Sequence, residues 1–263
     1  MLFSQTLASM QPLDRGWRAR IGEDWSQGRA TFGGMVAALG NEAMRHLVPA
    51  DRELRGLETT FVGPVLAGEV RIEAEVLRVG KAVTIASARL SSDGKIAATL
   101  TGVYGSARAT ALCISPNLAA GVRPVEGLPD PSLADMGGPA FVQHFGFRWA
   151  EGARPFSGSS LRTSTIYVRH KDPAPLTESH VVALIDSIPS VVLQLMSAPA
   201  PSSSLTWTLQ FLRHDYHFSP AAWWRIDAEV NSAGSGYSCE SCVLLDPLGA
   251  PAAVARQMVA VFG

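Results

Sequence analysis

One carboxylate stands where its neighbours give it no obvious reason to be. Asp186 lies in SHVVALIDSIPSVVLQLM (179–196), where Val181, Val182, Leu184, Ile185, Ile188, Val191, Val192 and Leu195 make the segment apolar on every side. A carboxylate in such surroundings needs a partner or a task, and one fitting task is to activate a water molecule as a general base. Far upstream, Gly33 and Gly34 open an apolar-faced helix. The first amides of a helix have no partner within it and sit at the positive end of its dipole, and glycine lets an acyl oxygen come close to them. Removing one such donor from an oxyanion site costs about 10²–10³ in rate. Two plainer readings stay open: the glycines shape a tight strand-to-helix turn, or Asp186 caps a helix restarted at Pro189.

The elements that carry these residues come in two sets. In TFGGMVAALGNEAMRHL (31–47), Met35, Val36, Leu39, Ala43 and Leu47 recur at helical spacing. Strand-like runs follow at 57–62, 70–79, 83–90 and 95–105, the last two joined by Asp93-Gly94, a hairpin signal. The second set repeats the order: a helix over 179–196, then strands at 205–212, 223–234, 237–245 and 252–263, with Gly249 where Gly94 stood. The runs 141–149 and 161–170 read as its opening strands, and residues 106–140, rich in Ala, Gly and Pro, as a linker.

Within the repeat, RIEAEVLRVG (71–80) returns as RIDAEVNSAG (225–234), with Asn231 in place of Leu77. Duplication explains this economically. Each antiparallel sheet has one apolar face, and each set offers one helix to cover it. The expected fold is therefore α+β, two helix-wrapping sheets fused edge to edge so that two strand edges are removed.

The copies differ where chemistry is expected. Gly33-Gly34 face Thr177-Glu178 in the comparison, and Asn41 stands where the other copy has Asp186. One copy keeps the glycines and the other the carboxylate, so one of two symmetric sites is expected to work. Strand alternation would put Asn231 on the solvent side with Asp227 and Glu229, but the apolar parity switches after Val76, and this predicts a bulge in both copies. Leu77 is expected to pack and Asn231 to face the reacting group, the alternative being an exposed turn residue near Gly234. Gln257 shares parity with Ala255, Val259 and Val261, so its amide needs partners, at a site or in the core.

The 263 residues are 47% hydrophobic and 17% charged, enough to bury a large core. With 22 basic and 23 acidic residues and no basic run, nothing points to nucleic acid or an anionic membrane as partner. No window resembles a signal peptide or a membrane span, so no membrane insertion is expected and a cytoplasmic location is the default. Three cysteines suit a reducing compartment; Cys239 and Cys242 form CxxC without a second pair, so no metal is expected. The run HDYH (214–217) reads as surface polar residues following a strand. The chain has no GxSxG elbow and no glycine-rich phosphate loop.

The order helix, meander, linker, helix, meander resembles the double-hotdog acyl-CoA thioesterases of the acyl-CoA thioesterase II family. The likeness is carried by FGGMVAAL, LETTFVGPVLAGEVRIEAEVLRVGKAVTIASARL, LIDSIPSVVLQL, SLTWTLQFLR and the closing strand with Gln257. It implies hotdog units at 1–105 and 141–263, joined by the linker 106–140, and hydrolysis of a fatty or aryl acyl-CoA to free acid and CoA without metal or bound cofactor. It also implies a homo-oligomer, a dimer of double hotdogs. The family's Asp, Thr or Ser, and Gln fall on Thr206, Asn231 and Gln257, so the glutamine alone is retained and Asp186 is left as the base, with Gln257, Asn231 and Thr206 expected to help hold the water by hydrogen bonds. Single-hotdog thioesterases of the PaaI type are similar at the other two places: Gly33 or Gly34 would hold the thioester carbonyl while Asp186 directs water. The acyl tail is expected between the helices against Met35, Leu39 and Val182. Two rivals are an acyl-CoA binder that no longer cleaves and a hotdog enoyl-CoA hydratase or dehydratase, which would need a closely spaced Asp and His.

Overall fold

A computed structural model describes residues 1–131, 133 and 137–262. The first half comprises α1 (Phe3–Ala8), β1 (Gln11–Pro12), β2 (Trp17–Ile21), β3 (Ser26–Gln27), β4 (Ala30–Thr31), α2 (Gly33–Arg45), β5 (Glu53–Phe61), β6 (Gly68–Val79), β7 (Val83–Ser92) and β8 (Lys95–Gly105). The second comprises β9 (Phe145–Glu151), β10 (Thr163–His170), α3 (Glu178–Ile185), β11 (Ser202–Phe211), β12 (Trp224–Gly234), β13 (Tyr237–Leu245) and β14 (Pro251–Val261). Every meander strand expected from the repeat is present. The N-terminal strands β1 and β2 were not foreseen, and they match β9 and β10 of the other half.

Twelve strands form one sheet in the order β1-β2-β6-β7-β8-β5-β11-β14-β13-β12-β10-β9, which reads as the same series from either end. The halves join where β5 pairs antiparallel with β11, Thr60 opposite Thr206 and Gly56 opposite Gln210. Two edges that would otherwise invite further pairing thus satisfy one another. Inward residues on alternate positions, such as Val70 and Ile72 on β6 and Ile226 and Val230 on β12, are buried against the helices. Asp93 and Gly94 turn β7 into β8 with φ of 50° and 72°, the left-handed pair that a tight hairpin requires.

Both bulges are present: the register slips between Val76 and Arg78 and between Val230 and Ser232, leaving Leu77 and Asn231 as the extra residues. Leu77 is not a packing residue, however, because the bulge turns it outward and leaves it 56% exposed. The second helix is also shorter than expected. It ends at Ile185, and a separate 3₁₀ segment, Val191–Leu195, follows the break around Pro189. Proline has no N–H and restricts the residue before it, so the apolar run could not continue as one helix.

The expected linker 106–140 contains residues 132 and 134–136, which lie outside the described residues, as does Gly263 at the end of the last expected strand. Described parts of the linker run along the second half: Arg148 donates to the Val125 carbonyl and Tyr167 to that of Arg123. No helix among the described residues is long and apolar enough to cross a membrane.

Candidate active site

Asp186 occupies the residue after α3, and its side chain reaches across to the start of α2 rather than back along its own helix. Its Oδ2 lies 3.0 Å from where a Cβ on Gly33 would stand. Phe32, at the N-cap of α2, provides no side-chain cap, so a carboxylate from the other half is what meets these first amides. Burial raises the Asp186 carboxyl from 3.8 to about 7, with the Gly34 N–H drawing it partly back.

The glycines are there for space. Neither has a positive φ, so the backbone conformation of the tight strand-to-helix turn does not itself require glycine. A Cβ on Gly33 would sit 3.0 Å from both Asp186 Oδ2 and the Phe61 ring. One on Gly34 would stand 2.5 Å from the Phe32 ring and 3.0 Å from the Ala183 Cα, where α2 and α3 cross. Gly33 thus leaves room for the Asp186 carboxylate and the Phe61 ring, while Gly34 lets the two helices touch.

Asp186 does not cap the restarted segment either, because Glu240 does. Both of its oxygens accept: from the Val191 N–H at 2.9 Å, the Val192 N–H at 3.1 Å, the Ser190 hydroxyl at 2.6 Å and the Ser238 hydroxyl at 3.1 Å. With the break held in this way, Asp186 faces a pocket it shares with Trp207, Glu240, Cys242 and Gln257, floored by Ile188 and Pro189. The cavity itself is about 20 Å³, room for a single water, and Asp186, Glu240 and Gln257 offer that water polar partners. Gln257 sits between Trp207 on β11 and Glu240 on β13, and its Oε1 accepts from the Ser204 hydroxyl at 3.2 Å. Burial, with the Asp186 and Glu240 charges adding to it, pushes the Cys242 thiol up to about 12, so it stays protonated and is no nucleophile.

The pseudo-symmetric counterpart of this site is filled. Asn41 on α2 approaches the start of α3 as Asp186 approaches α2, but there it meets Glu178. The Glu178 carboxylate accepts from Asn41 Nδ2 at 2.9 Å, from Arg45 at 2.7 and 3.2 Å and from the Leu54 N–H at 3.0 Å. Tyr104 closes the cluster by donating to Asn41 Oδ1 at 2.8 Å. The half without glycines is therefore plugged by a paired carboxylate.

Other expected residues fall elsewhere. Thr206 is exposed, because Trp207, Leu209 and Phe211 take the inward positions of β11. Asn231 is turned by its bulge so that Nδ2 donates to Glu229 at 2.9 Å, and it does not line the pocket. Met35, Leu39 and Val182 are completely buried in the core, and the pocket wall comes instead from the break after α3 and from Trp207. Cys239 and Cys242 point to opposite faces of β13: Cys239 accepts from Arg256 at 3.3 Å while Cys242 faces the pocket. In HDYH, His214 and Tyr216 turn inward rather than lying on the surface; His214 Nε2 is 2.7 Å from the Arg55 guanidinium.

Sequence reasoning missed Glu240, Trp207 and Ser204. Glu240 was within reach, since it shares inward parity with Ser238 and Cys242 on β13. The bulge registers also pair it with Val230 as Ala86 pairs with Val76, so the two copies differ there as plainly as at Asp186.

An antiparallel sheet wrapped around paired helices, repeated in two halves joined edge to edge, is a double-hotdog fold. The model for the acyl-CoA thioesterase C-terminal domain matches residues 124–261 and that for the N-terminal domain matches residues 21–105. The chain belongs to the acyl-CoA thioesterase family. Among solved structures it is similar to a hot dog fold protein of unknown function from Alicyclobacillus acidocaldarius, at TM-score 0.85 and 20% identity over 99% of this chain and 98% of that one. It is similar also to an acyl-CoA thioesterase II from Mycobacterium marinum, at TM-score 0.78 and 16% identity over 98% and 97%. The dehydratase domain of RzxB from Pseudomonas fluorescens shares the fold more distantly, at TM-score 0.56 and 12% identity over 98% and 99%. No curated protein matches the sequence.

Proposed function

We propose that the protein hydrolyses an acyl-CoA, fatty or aryl, to the free acid and CoA by direct attack of water. The thioester carbonyl oxygen rests against the Gly33 amide, at the positive end of α2. Asp186 takes a proton from a water held beside Gln257, and the water oxygen bonds to the carbonyl carbon while the carbonyl electron pair moves onto oxygen. Collapse of that tetrahedral species breaks the carbon–sulfur bond, and the departing thiolate recovers the proton from Asp186. Thr206 and Asn231 have no part in these steps.

One observation supports this reading above the others: the Asp186 carboxyl, raised to about 7 and so divided between acid and base forms at neutral pH, lies against Gly33 in the same pocket as Gln257. Isoleucine, proline and tryptophan side chains give the acyl group an apolar wall. Against the hydratase alternative, no histidine is among the residues that line the pocket.

The test is thiol release across a panel of fatty and aryl acyl-CoAs, with Asp186→Ala as the control. Release by the wild type, reduced about 10²–10⁴-fold in the variant, fits the proposal. Tight acyl-CoA binding with no thiol released, or water added to an enoyl-CoA instead, would replace it with one of the two rivals.

A further inference from the structure

Arg154 forms no ion pair among the described residues. Its guanidinium stacks over the Trp149 ring, 4.1 Å from the centroid, and its Nη1 is buried with no hydrogen-bond partner among the described residues. Neighbouring arginines that also stack on tryptophan reach an acceptor: Arg148 donates to the Val125 carbonyl at 3.0 Å and Arg169 meets Asp130 at 3.4 Å. Burial lowers the Arg154 pKa, with no offsetting charge among the described residues. A guanidinium partly withdrawn from water without a carboxylate beside it is costly unless an anion arrives to meet it.

Its position says which molecule would bring the anion. Ala153, Pro155 and Trp149 border a second pocket, and Pro189 and Val191 belong to both that pocket and the one containing Asp186. The two pockets therefore adjoin at the helix break. The loop carrying Arg154 is fixed in place. Gln194, 3% exposed, accepts from the Ala153 N–H at 2.8 Å, and its carbonyl accepts from the Ser159 N–H at 2.8 Å. Phe156 is held at a φ of 63°, a conformation that non-glycine residues adopt at a cost, by donation to the Leu193 carbonyl at 2.7 Å. Both anchors lie on the 3₁₀ segment whose start Glu240 caps.

We infer that Arg154, stacked on a tryptophan that borders the second pocket and flanked by two residues that line it, binds an anionic group of the substrate. The inference rests on the thioesterase reading for the identity of the substrate. Two parts of an acyl-CoA carry suitable charge: a terminal carboxylate on the acyl chain, and the phosphates of CoA. Both would engage the guanidinium through charge-assisted hydrogen bonds.

The test compares wild type with Arg154→Met and Arg154→Lys on a length series of ω-carboxyacyl-CoAs, each paired with the neutral acyl-CoA of the same length and with the neutral acyl-pantetheine. If the acyl carboxylate is read, Arg154→Met lowers kcat/KM for the best ω-carboxy substrate about 10–100-fold and changes its neutral partner little, with partial recovery in Arg154→Lys. If a CoA phosphate is read, both CoA thioesters fall together and the acyl-pantetheine does not. Equal behaviour of wild type and Arg154→Met on every thioester overturns the inference, as does an equal loss on acyl-pantetheine. Calorimetric binding of the same CoA ligands separates the two levels of the account. Affinity lost in Arg154→Met with no hydrolysis by the wild type would keep the anion site and sink the thioesterase reading.

Discussion

Replacing Asp186 by Asn isolates the electrostatic cost on which the site is built. The two side chains have nearly the same shape, and Asn keeps an oxygen to accept from the Gly34 amide, so the change removes only the ability to ionise. The folded carboxyl titrates near 7 against an ordinary value of 3.8, because burial disfavours its charged form. The folded state therefore holds a proton that the unfolded chain has released throughout that interval. Stability drawn from the protonated form is complete below the unfolded value and is lost as pH rises through 7. The total is about 4 kcal/mol, a large share of the roughly 5–15 kcal/mol that holds a typical protein folded. Asn loses none of it. Urea denaturation of both proteins over a pH series should show Asp186→Asn more stable by about 2 kcal/mol at pH 5 and by about 4 kcal/mol at pH 8, with the gap flat above that. A variant no more stable than wild type at pH 8, or a gap that shrinks as pH rises, would refute the claim that burial raises this carboxyl. The more stable variant should also be nearly inactive, a stability–activity conflict expected of a buried carboxylate that serves as the base.

The two glycines should separate in their effects. Gly33→Ala brings a methyl to 3.0 Å from Asp186 Oδ2 and is expected to lower thiol release by about 10²-fold while circular dichroism and melting stay near wild type. Gly34→Ala meets the Ala183 backbone where the helices cross and is expected to destabilise the fold by about 1–3 kcal/mol. Thr206→Ala and Asn231→Leu leave the pocket walls untouched, and kcat/KM for each should stay within about threefold of wild type. A hundredfold loss in either would mean that the family positions act here after all.

Much of the architecture was legible because it is written twice. The copies share hydrophobic period, hairpin glycines and parity switches, and these gave the strands, the edge-to-edge join and both bulges. The candidate site was legible in part for the same reason, since an asymmetry between copies marked Asp186 against Asn41 and Gly33 against Glu178. What failed depended on direction. A bulge moves a side chain to whichever face the local twist selects, so finding it did not reveal that Leu77 would meet solvent or that Asn231 would reach Glu229. The apolar run 179–196 fits a long helix by period alone, and the break at Pro189 depends on a cap from Glu240, which lies about 50 residues away. The strands β1 and β2 offered too few residues for a periodic signal and are fixed by pairing, β2 with β6 and β1 with β2.

If Asp186 acts as the base on a thioester held at the Gly33 amide, its ionisation must show in the pH dependence of acyl-CoA hydrolysis. The account predicts that kcat/KM rises about tenfold per pH unit below 7 and levels off above it, following ionisation of the free enzyme's carboxyl, and that Asp186→Asn is slow with no such inflection. A wild-type rate that does not change between pH 5 and 8, or an Asp186→Asn variant that retains the inflection, would contradict it.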